Sequence, residues 1–306
     1  MIDNKKANVC VIGSINMDFT IIADEEPSQG ETIIGEKMVT SYGGKGANQA
    51  VAASRMGAHV HMIGSIGGDT IGTELLNHLE SEKISTDGIT KINDEQTGIA
   101  NIVSTFADNK IIILPGANSF LTPHMIKKHE EIIKKCDVVL LQMEIPQDSI
   151  ISAIKISEKH DIPVILNPAP YQNLSEELIN QVAFITPNEI EFNEMLQDIN
   201  YEEIKHKIIV TKGREGVSFY ESGGIKNIKS HKVNVIDTTG AGDTFNGVLA
   251  ANIAAKKSLS NSIYYANIAA GLSTTEVGAQ SAMPTLKDIY NFDNYLTDNP
   301  ETQLLK

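Results

Sequence analysis

The sequence predicts an α/β fold of three layers (αβα): a mainly parallel central sheet covered by helices on both faces, plus a small β-sheet lid. Beyond residue 120, helical and strand patterns alternate without interruption, the mark of right-handed βαβ units. Polar residues recur just past the apolar strand runs, on the edge where open parallel sheets gather ligands. Two β-rich pairs, at about 16–42 and 97–114, stand outside that alternation and supply the lid. No repeat, linker or low-complexity tract divides the 306 residues, so one domain spanning 1–306 is expected.

Residues 9–13 form a short apolar strand that runs into Gly13-Ser14-Ile15-Asn16-Met17-Asp18. Asn16 and Asp18 flank Met17, so in extended geometry their side chains point the same way and suit two hydroxyls of a polyol. A turn held by Asx hydrogen bonds explains them equally well. Residues 19–42 carry β-branched runs around Pro27 and Gly30 and read as two short strands. Gly43-Gly44-Lys45-Gly46 then opens a helix whose small face is Ala47, Ala50, Val51 and Ser54. A strand at 60–65 and a helix at 70–83, with Ile71, Leu75 and Leu79 on one face, follow. The second β-rich pair is joined by a turn at Ala107-Asp108-Asn109. Helices at 122–135, 148–160, 175–181 and 188–197 then alternate with strands at 137–143, 163–166, 183–186 and 207–211. Strands at 216–221 and 232–236 and helices at 243–256 and 260–275 complete the pattern. Glu144, Asn167, Asn188, Glu191, Thr211 and Gly213 all fall at strand carboxyl ends and outline a crevice.

Composition narrows the function. With 41% hydrophobic and 21% charged residues the chain is globular. A formal charge of −14 argues against nucleic acid held on a broad basic face. No basic start precedes an apolar core and no run of eighteen apolar residues occurs, so no membrane span is expected and a cytoplasmic location is. Cys10 and Cys136 each lie in an apolar run, as buried strand residues of a reducing compartment would, which disfavours a disulfide or zinc site. The histidines, His59, His61 and His78 among them, show no ligand spacing and read as bystanders; the scattered methionines read as core filler. Gly43-Gly44-Lys45-Gly46 lacks the spacer and ending of a Walker loop, and the glycines of 64–68 are misspaced for a dinucleotide fingerprint.

The stretch 236–247, I-D-T-T-G-A-G-D-T-F-N-G, carries the most chemistry. Gly240, Ala241 and Gly242 leave backbone N–H groups free to converge on an anion, and the helix that follows adds the positive end of its dipole. Asp243 at that mouth would repel phosphate unless it accepts a proton from an attacking hydroxyl. A glycine-rich turn with Asp243 as a helix cap is the competing explanation.

Taken together, G-S-I-N-M-D (13–18), G-G-K-G-A-N-Q-A (43–50), P-G-A-N (115–118), N-P-A-P (167–170), T-P-N-E (186–189), T-K-G-R-E-G (211–216) and D-T-T-G-A-G-D-T-F-N-G (237–247) resemble the carbohydrate kinases of the ribokinase (PfkB) family, in that family's order and over essentially the full length. The resemblance implies the ribokinase-like fold and ATP-dependent phosphorylation of a sugar, with D-ribose at O5 the closest match. It implies a sugar site of Asn16, Asp18, Gly43, Gly44, Lys45, Gly46, Asn48, Glu144 and Asp243. Asn188, Glu191, Thr211, Lys212, Gly213, Arg214, Glu215, Gly216, Gly242, Asp243 and Asn267 match nucleotide-binding positions, with the N-x-x-E pair Asn188 and Glu191 associated with Mg²⁺ and phosphate. Asp243 matches the catalytic base, and Gly240, Ala241 and Gly242 with it the anion hole. A monovalent cation, K⁺, is implied beside Asp237, Thr239, Ser273, Glu276, Gly278 and Ala282. Relatives often carry Ser at the last position, which here is Ala282 with Ser281 beside it. A homodimer through the lid is implied on the same ground. Lys45 is either a sugar ligand or a solvated loop lysine. A sibling kinase of deoxyribose, fructose or a nucleoside is the alternative, and a non-catalytic sugar-responsive regulator a further one, against which the intact Asp243 loop counts.

Overall fold

The computed structural model describes residues 6–105, 109–173 and 175–298. Its central sheet is parallel throughout, in the order Phe184–Ile185, Val164–Asn167, Val138–Gln142, Asn8–Ile12, His59–Gly67, Ser85–Ile92. Isolated parallel bridges, Ile185 to Ile208 and Asn188 to Thr211, carry the order on to strand Ile209–Thr211. That strand turns antiparallel against Val217–Glu221, which pairs with Gly224–Ile228.

Both faces of the sheet are buried because its strands are apolar at odd and even positions alike. Val9 and Val11 face one core with the helices Lys45–Arg55, Ala241–Ala254 and Leu259–Ser273. Cys10 and Ile12 face the other with Gln147–Lys159 and Glu176–Gln181. Val138 and Leu140 against Val139 and Leu141 repeat the alternation one strand over. Cys10 and Cys136 are buried free thiols. Among the described residues no helix is long and apolar enough to cross a membrane.

A separate four-stranded sheet has the order Lys37–Gly43, Asn16–Ile22, Gly98–Ser104, Asn109–Leu114. It starts where the 8–12 strand leaves the central sheet, so Asn16 and Asp18 lie at the junction of the two. The proposed turn at Ala107 and Asp108 lies outside the described residues.

Four local expectations are corrected. Residues 232–236 form no strand: Val235 and Ile236 are 58% exposed and find no ladder, while Gly224–Ile228 takes that place. The 122–135 helix is two pieces, Pro123–Lys128 and Glu130–Ile133, because His129 leaves helical geometry at φ −99°, ψ 14°. The 70–83 helix stops at Ser81, and Lys83 adopts a positive φ. The strand Ser85–Ile92 and the helix Leu286–Asp298 had no counterpart in the sequence reading.

Candidate active site

Two helix N-termini converge at the carboxyl edge of the sheet. Helix Lys45–Arg55 starts after Gly44, at φ 86°, and helix Ala241–Ala254 after Gly240, at φ 75°, backbone that glycine adopts without strain. The helices touch at Gly247, where a Cβ would lie 2.4 Å from the Gln49 carbonyl oxygen and 2.6 Å from Ala52 Cβ. That close approach brings Asn48 and Gln49 to Asp243.

Asp243 is buried, 8% exposed. One carboxylate oxygen accepts a hydrogen bond from Asn48 Nδ2 at 2.9 Å, the other from Gln49 Nε2 at 3.0 Å. Gln49 is fixed in turn: its amide also donates to Asn167 Oδ1 and accepts from Gln142 Nε2 at 2.7 Å. Asp243 is therefore held by two oriented amides rather than by a cation. At the helix start, Ala241 N–H turns back to the Thr238 carbonyl at 3.2 Å. Among the described residues no acceptor meets the N–H groups of Gly242 and Asp243. Thr186 and Asn246 brace this turn, with Asn246 Nδ2 donating to the Gly242 carbonyl at 2.9 Å.

The sugar-site candidates meet beside Asp243. Ser14 Oγ donates to Glu144 Oε2 at 2.5 Å, and Lys45 N–H reaches the same oxygen at 3.2 Å. Asn16 Oδ1 accepts from Asn118 Nδ2 at 2.8 Å. A side chain at Gly43 would strike the Asp18 carboxylate, at 2.2 Å, so glycine there makes room for it. Burial, then the charges of Glu144 and Asp243, push the Asp18 pKa up to about 7 against the pull of Lys45. Its Oδ1 is buried and meets no hydrogen-bond partner among the described residues, so it is poised to accept from a ligand hydroxyl. Burial draws the Lys45 ammonium down, but Asp243, Glu144, Glu191 and Asp18 outweigh it and its pKa is raised. The Lys45 backbone N–H bonds Glu144, and its side chain lies in the field of the site's carboxylates.

On the far side of Asp243, Asn188 caps helix Glu189–Met195. Its Oδ1 accepts from the N–H groups of Ile190 and Glu191, and Glu191 Oε2 accepts from Asn188 N–H at 2.9 Å. The N-x-x-E pair is a capping box, a structural task that the sequence reading did not give it. Burial raises the Glu191 pKa; the Asn188 N–H and Lys45 oppose it. Thr211 N–H donates to the Pro187 carbonyl, which joins this helix start to the 211–216 loop. There Lys212 N–H closes on the Gly216 carbonyl at 2.8 Å around a turn at Gly213–Glu215, with Arg214 and Glu215 exposed. Gly216 has φ 98° and lies under the Ile228 carbonyl, where no side chain fits. Asn267 is buried and spends its amide on the Lys229 carbonyl at 2.8 Å.

Asp237, Thr239 and Gly278 come together. Asp237 Oδ1 accepts from Thr239 N–H and Oγ, and Oδ2 accepts from Gly278 N–H at 2.8 Å. Burial raises the Asp237 pKa, but these bonds outweigh it and leave it below the usual value. Ser273 Oγ is turned to the Ala270 carbonyl and Glu276 is exposed. Ala282 is buried while Ser281 is exposed, its hydroxyl on the Val277 carbonyl. Among the described residues no group of three or more His, Cys, Asp or Glu could hold a metal ion.

A cavity of about 740 Å³ separates the small sheet from the 236–239 and 277–281 segments, with Asp18, Tyr42, His78 and Gln280 on its wall. A second, of about 350 Å³, opens at Ser14, Asn16, Asn118 and Glu144. Several residues that build the site escaped the sequence reading: Ser14, Gln49, Asn118, Gln142 and Gln280. Ser14, Gln49 and Asn118 lie inside the motifs G-S-I-N-M-D, G-G-K-G-A-N-Q-A and P-G-A-N, the one signal in the sequence that pointed to them. His78 Nε2 lies 2.7 Å from Gln280 Oε1.

Comparison with known proteins agrees with this geometry. The family described as pfkB family carbohydrate kinase matches residues 6–286. A ribokinase of Bacillus subtilis (strain 168) is 41% identical over 288 residues, covering 92% of this chain and 98% of the relative. A ribokinase from Thermotoga maritima superposes with a TM-score of 0.86 at 30% identity, over 95% of this chain and all of that one. An Arabidopsis thaliana ribokinase solved with ribose and ATP gives 0.84 at 29% identity, over 94% and 98% of the two chains. The chain belongs to the pfkB family of carbohydrate kinases.

Proposed function

We propose that the protein transfers the γ-phosphoryl group of ATP to O5 of D-ribose, giving D-ribose 5-phosphate and ADP, as the entry step of ribose catabolism in the cytoplasm. The observation that carries this is Asp243: a buried carboxylate held by Asn48 and Gln49 beside the uncommitted N–H groups of Gly242 and its own backbone. A carboxylate has about four acceptor positions, and two amides leave room for a hydroxyl.

In this mechanism Asp243 takes the O5 proton as O5 bonds to the γ-phosphorus and the bond to the β-phosphate oxygen breaks. The N–H groups of Gly242 and Asp243 receive charge on the equatorial oxygens; Gly240 shapes the turn and Ala241 closes it. Asp18, Asn16 and Glu144 accept sugar hydroxyls, and Lys45 offsets their charge. The 211–216 loop and Asn267 border the nucleotide. Asn188 and Glu191 would lie nearest a Mg²⁺ bound with ATP, which would neutralise phosphate charge there. K⁺ beside Asp237, Thr239 and the carbonyls of 273–282 would supply a fixed positive charge behind the anion loop. The small sheet acts as a lid that excludes water from the acceptor position, and in a homodimer it is the contact surface.

Asp243→Asn is expected to abolish ADP release while ribose binding stays measurable by calorimetry; near-wild-type turnover would remove Asp243 as the base. A substrate panel tests the sugar, and a higher kcat/KM for deoxyribose or fructose would replace ribose.

A further inference from the structure

Asp243 is the end of a hydrogen-bonded chain that crosses the molecule to the small sheet. An ionised carboxylate can only accept, so Asn48 must present Nδ2 to it and Oδ1 away from it. That oxygen accepts from Gln280 Nε2 at 2.9 Å, which turns Gln280 Oε1 outward. The outward oxygen lies 2.7 Å from His78 Nε2, which must therefore carry the proton. Every amide orientation and the histidine tautomer follow from the charge on Asp243.

The far end of the chain is anchored on both sides. Tyr42, in the small-sheet strand Lys37–Gly43, stacks on the His78 ring at 3.7 Å between centroids and 15° between planes. The Gln280 carbonyl accepts from Arg55 Nη1 at 2.7 Å, and Arg55 is itself tied to Glu82. Gln280, 4% exposed, is thus held by backbone and side chain between the two sites.

We propose that His78 and Gln280 are positioning residues that set the Asn48 amide, and through it the Asp243 carboxylate, by the hydrogen bond that His78 donates to Gln280. Their role rests on Asp243 being the base. With the donor gone from His78, Gln280 Oε1 is left buried and unpaired, its amide is free to rotate, and Asn48 loses the partner that fixes its orientation. The cost appears in the chemical step, where small displacements are expensive.

The test pairs two variants with a measurement that needs no turnover. His78→Phe keeps a ring for Tyr42 but cannot donate; His78→Gln restores a donor and gives up the ring. His78→Phe is expected to lower kcat about tenfold with KM for ATP unchanged, and His78→Gln to recover most of it. Wild-type kcat in His78→Phe, or equal loss in both variants, would overturn the relay. Nitrogen-15 NMR of the wild-type imidazole supplies the independent reading: a proton on His78 Nε2 supports the chain, and protonation at Nδ1 alone overturns it. Failure of the wild type to phosphorylate ribose would count against the proposed activity and leave the tautomer result standing.

Discussion

Asp18→Asn isolates the electrostatic cost built into the sugar pocket. In the unfolded chain Asp18 ionises near 3.8; in the folded protein burial, Glu144 and Asp243 raise that to about 7. Between these values the folded state holds a proton that the unfolded state has lost, so the contribution of Asp18 favours folding at the acid end and declines as pH rises to about 7. The gap is about three pH units at about 1.4 kcal/mol each, giving an upper limit on the order of 4 kcal/mol. Asparagine keeps the size and removes the titration, so the variant's gain on the wild type should grow from about pH 4 to about pH 7, level off above that, and vanish only toward pH 4. Sugar hydroxyls that donate to Asp18 favour its ionised form, so the wild-type KM for ribose should fall as pH rises through 7, a trend absent in the variant. Urea unfolding of both proteins at fixed pH steps, with ribose titrations alongside, makes the measurement. A stability difference independent of pH would refute the assignment of a raised pKa to Asp18.

Three further perturbations probe the scaffold. Gly247→Ala forces a Cβ to within 2.4 Å of the Gln49 carbonyl, so the two site helices must part. A loss of about 1–3 kcal/mol in chemical unfolding is expected, with kcat falling further than stability alone explains. Gln49→Leu removes the donor to one Asp243 oxygen and orphans Gln142 and Asn167; kcat should drop while nucleotide affinity, followed by ADP titration, holds. Asn188→Ala deletes the capping box and should cost about 1 kcal/mol by thermal unfolding. An unchanged Tm would mean that the Glu189–Met195 helix does not depend on it.

Five of the six strands of the parallel sheet were legible because both faces are buried, which leaves apolar runs between regular helices; the edge strand Ser85–Ile92, with only one buried position, was not. The four strands of the small sheet were legible from their β-branched alternation. The 232–236 segment misled for a physical reason: its alternation marks an extended chain, but a strand also needs a neighbour, and pairing is not written in one segment. Gly224–Ile228 was missed because a five-residue strand with three exposed positions carries little periodicity. At the site, Asp243, Asp18 and Glu144 stood out as charged groups at strand ends or helix starts. Gln49, Gln142 and Gln280 did not, since a glutamine in an apolar stretch gives no hint of which buried partner will satisfy it. The N-x-x-E pair was legible as a motif, yet its capping-box geometry needed coordinates.

The two convergent helices begin differently. At Lys45–Arg55 the opening N–H groups are met by the side chains of Ser14 and Glu144 and the carbonyl of Ser14. At Ala241–Ala254 those of Gly242 and Asp243 meet no acceptor among the described residues. The first terminus is complete in the folded protein, whereas in the proposed mechanism the second is completed by the anion it binds. Inorganic phosphate or sulfate in a buffer therefore competes for the same donors as the nucleotide. It should slow turnover at low ATP while making the protein harder to melt, so that a gain in thermal stability reports occupancy of the anion loop and not activation.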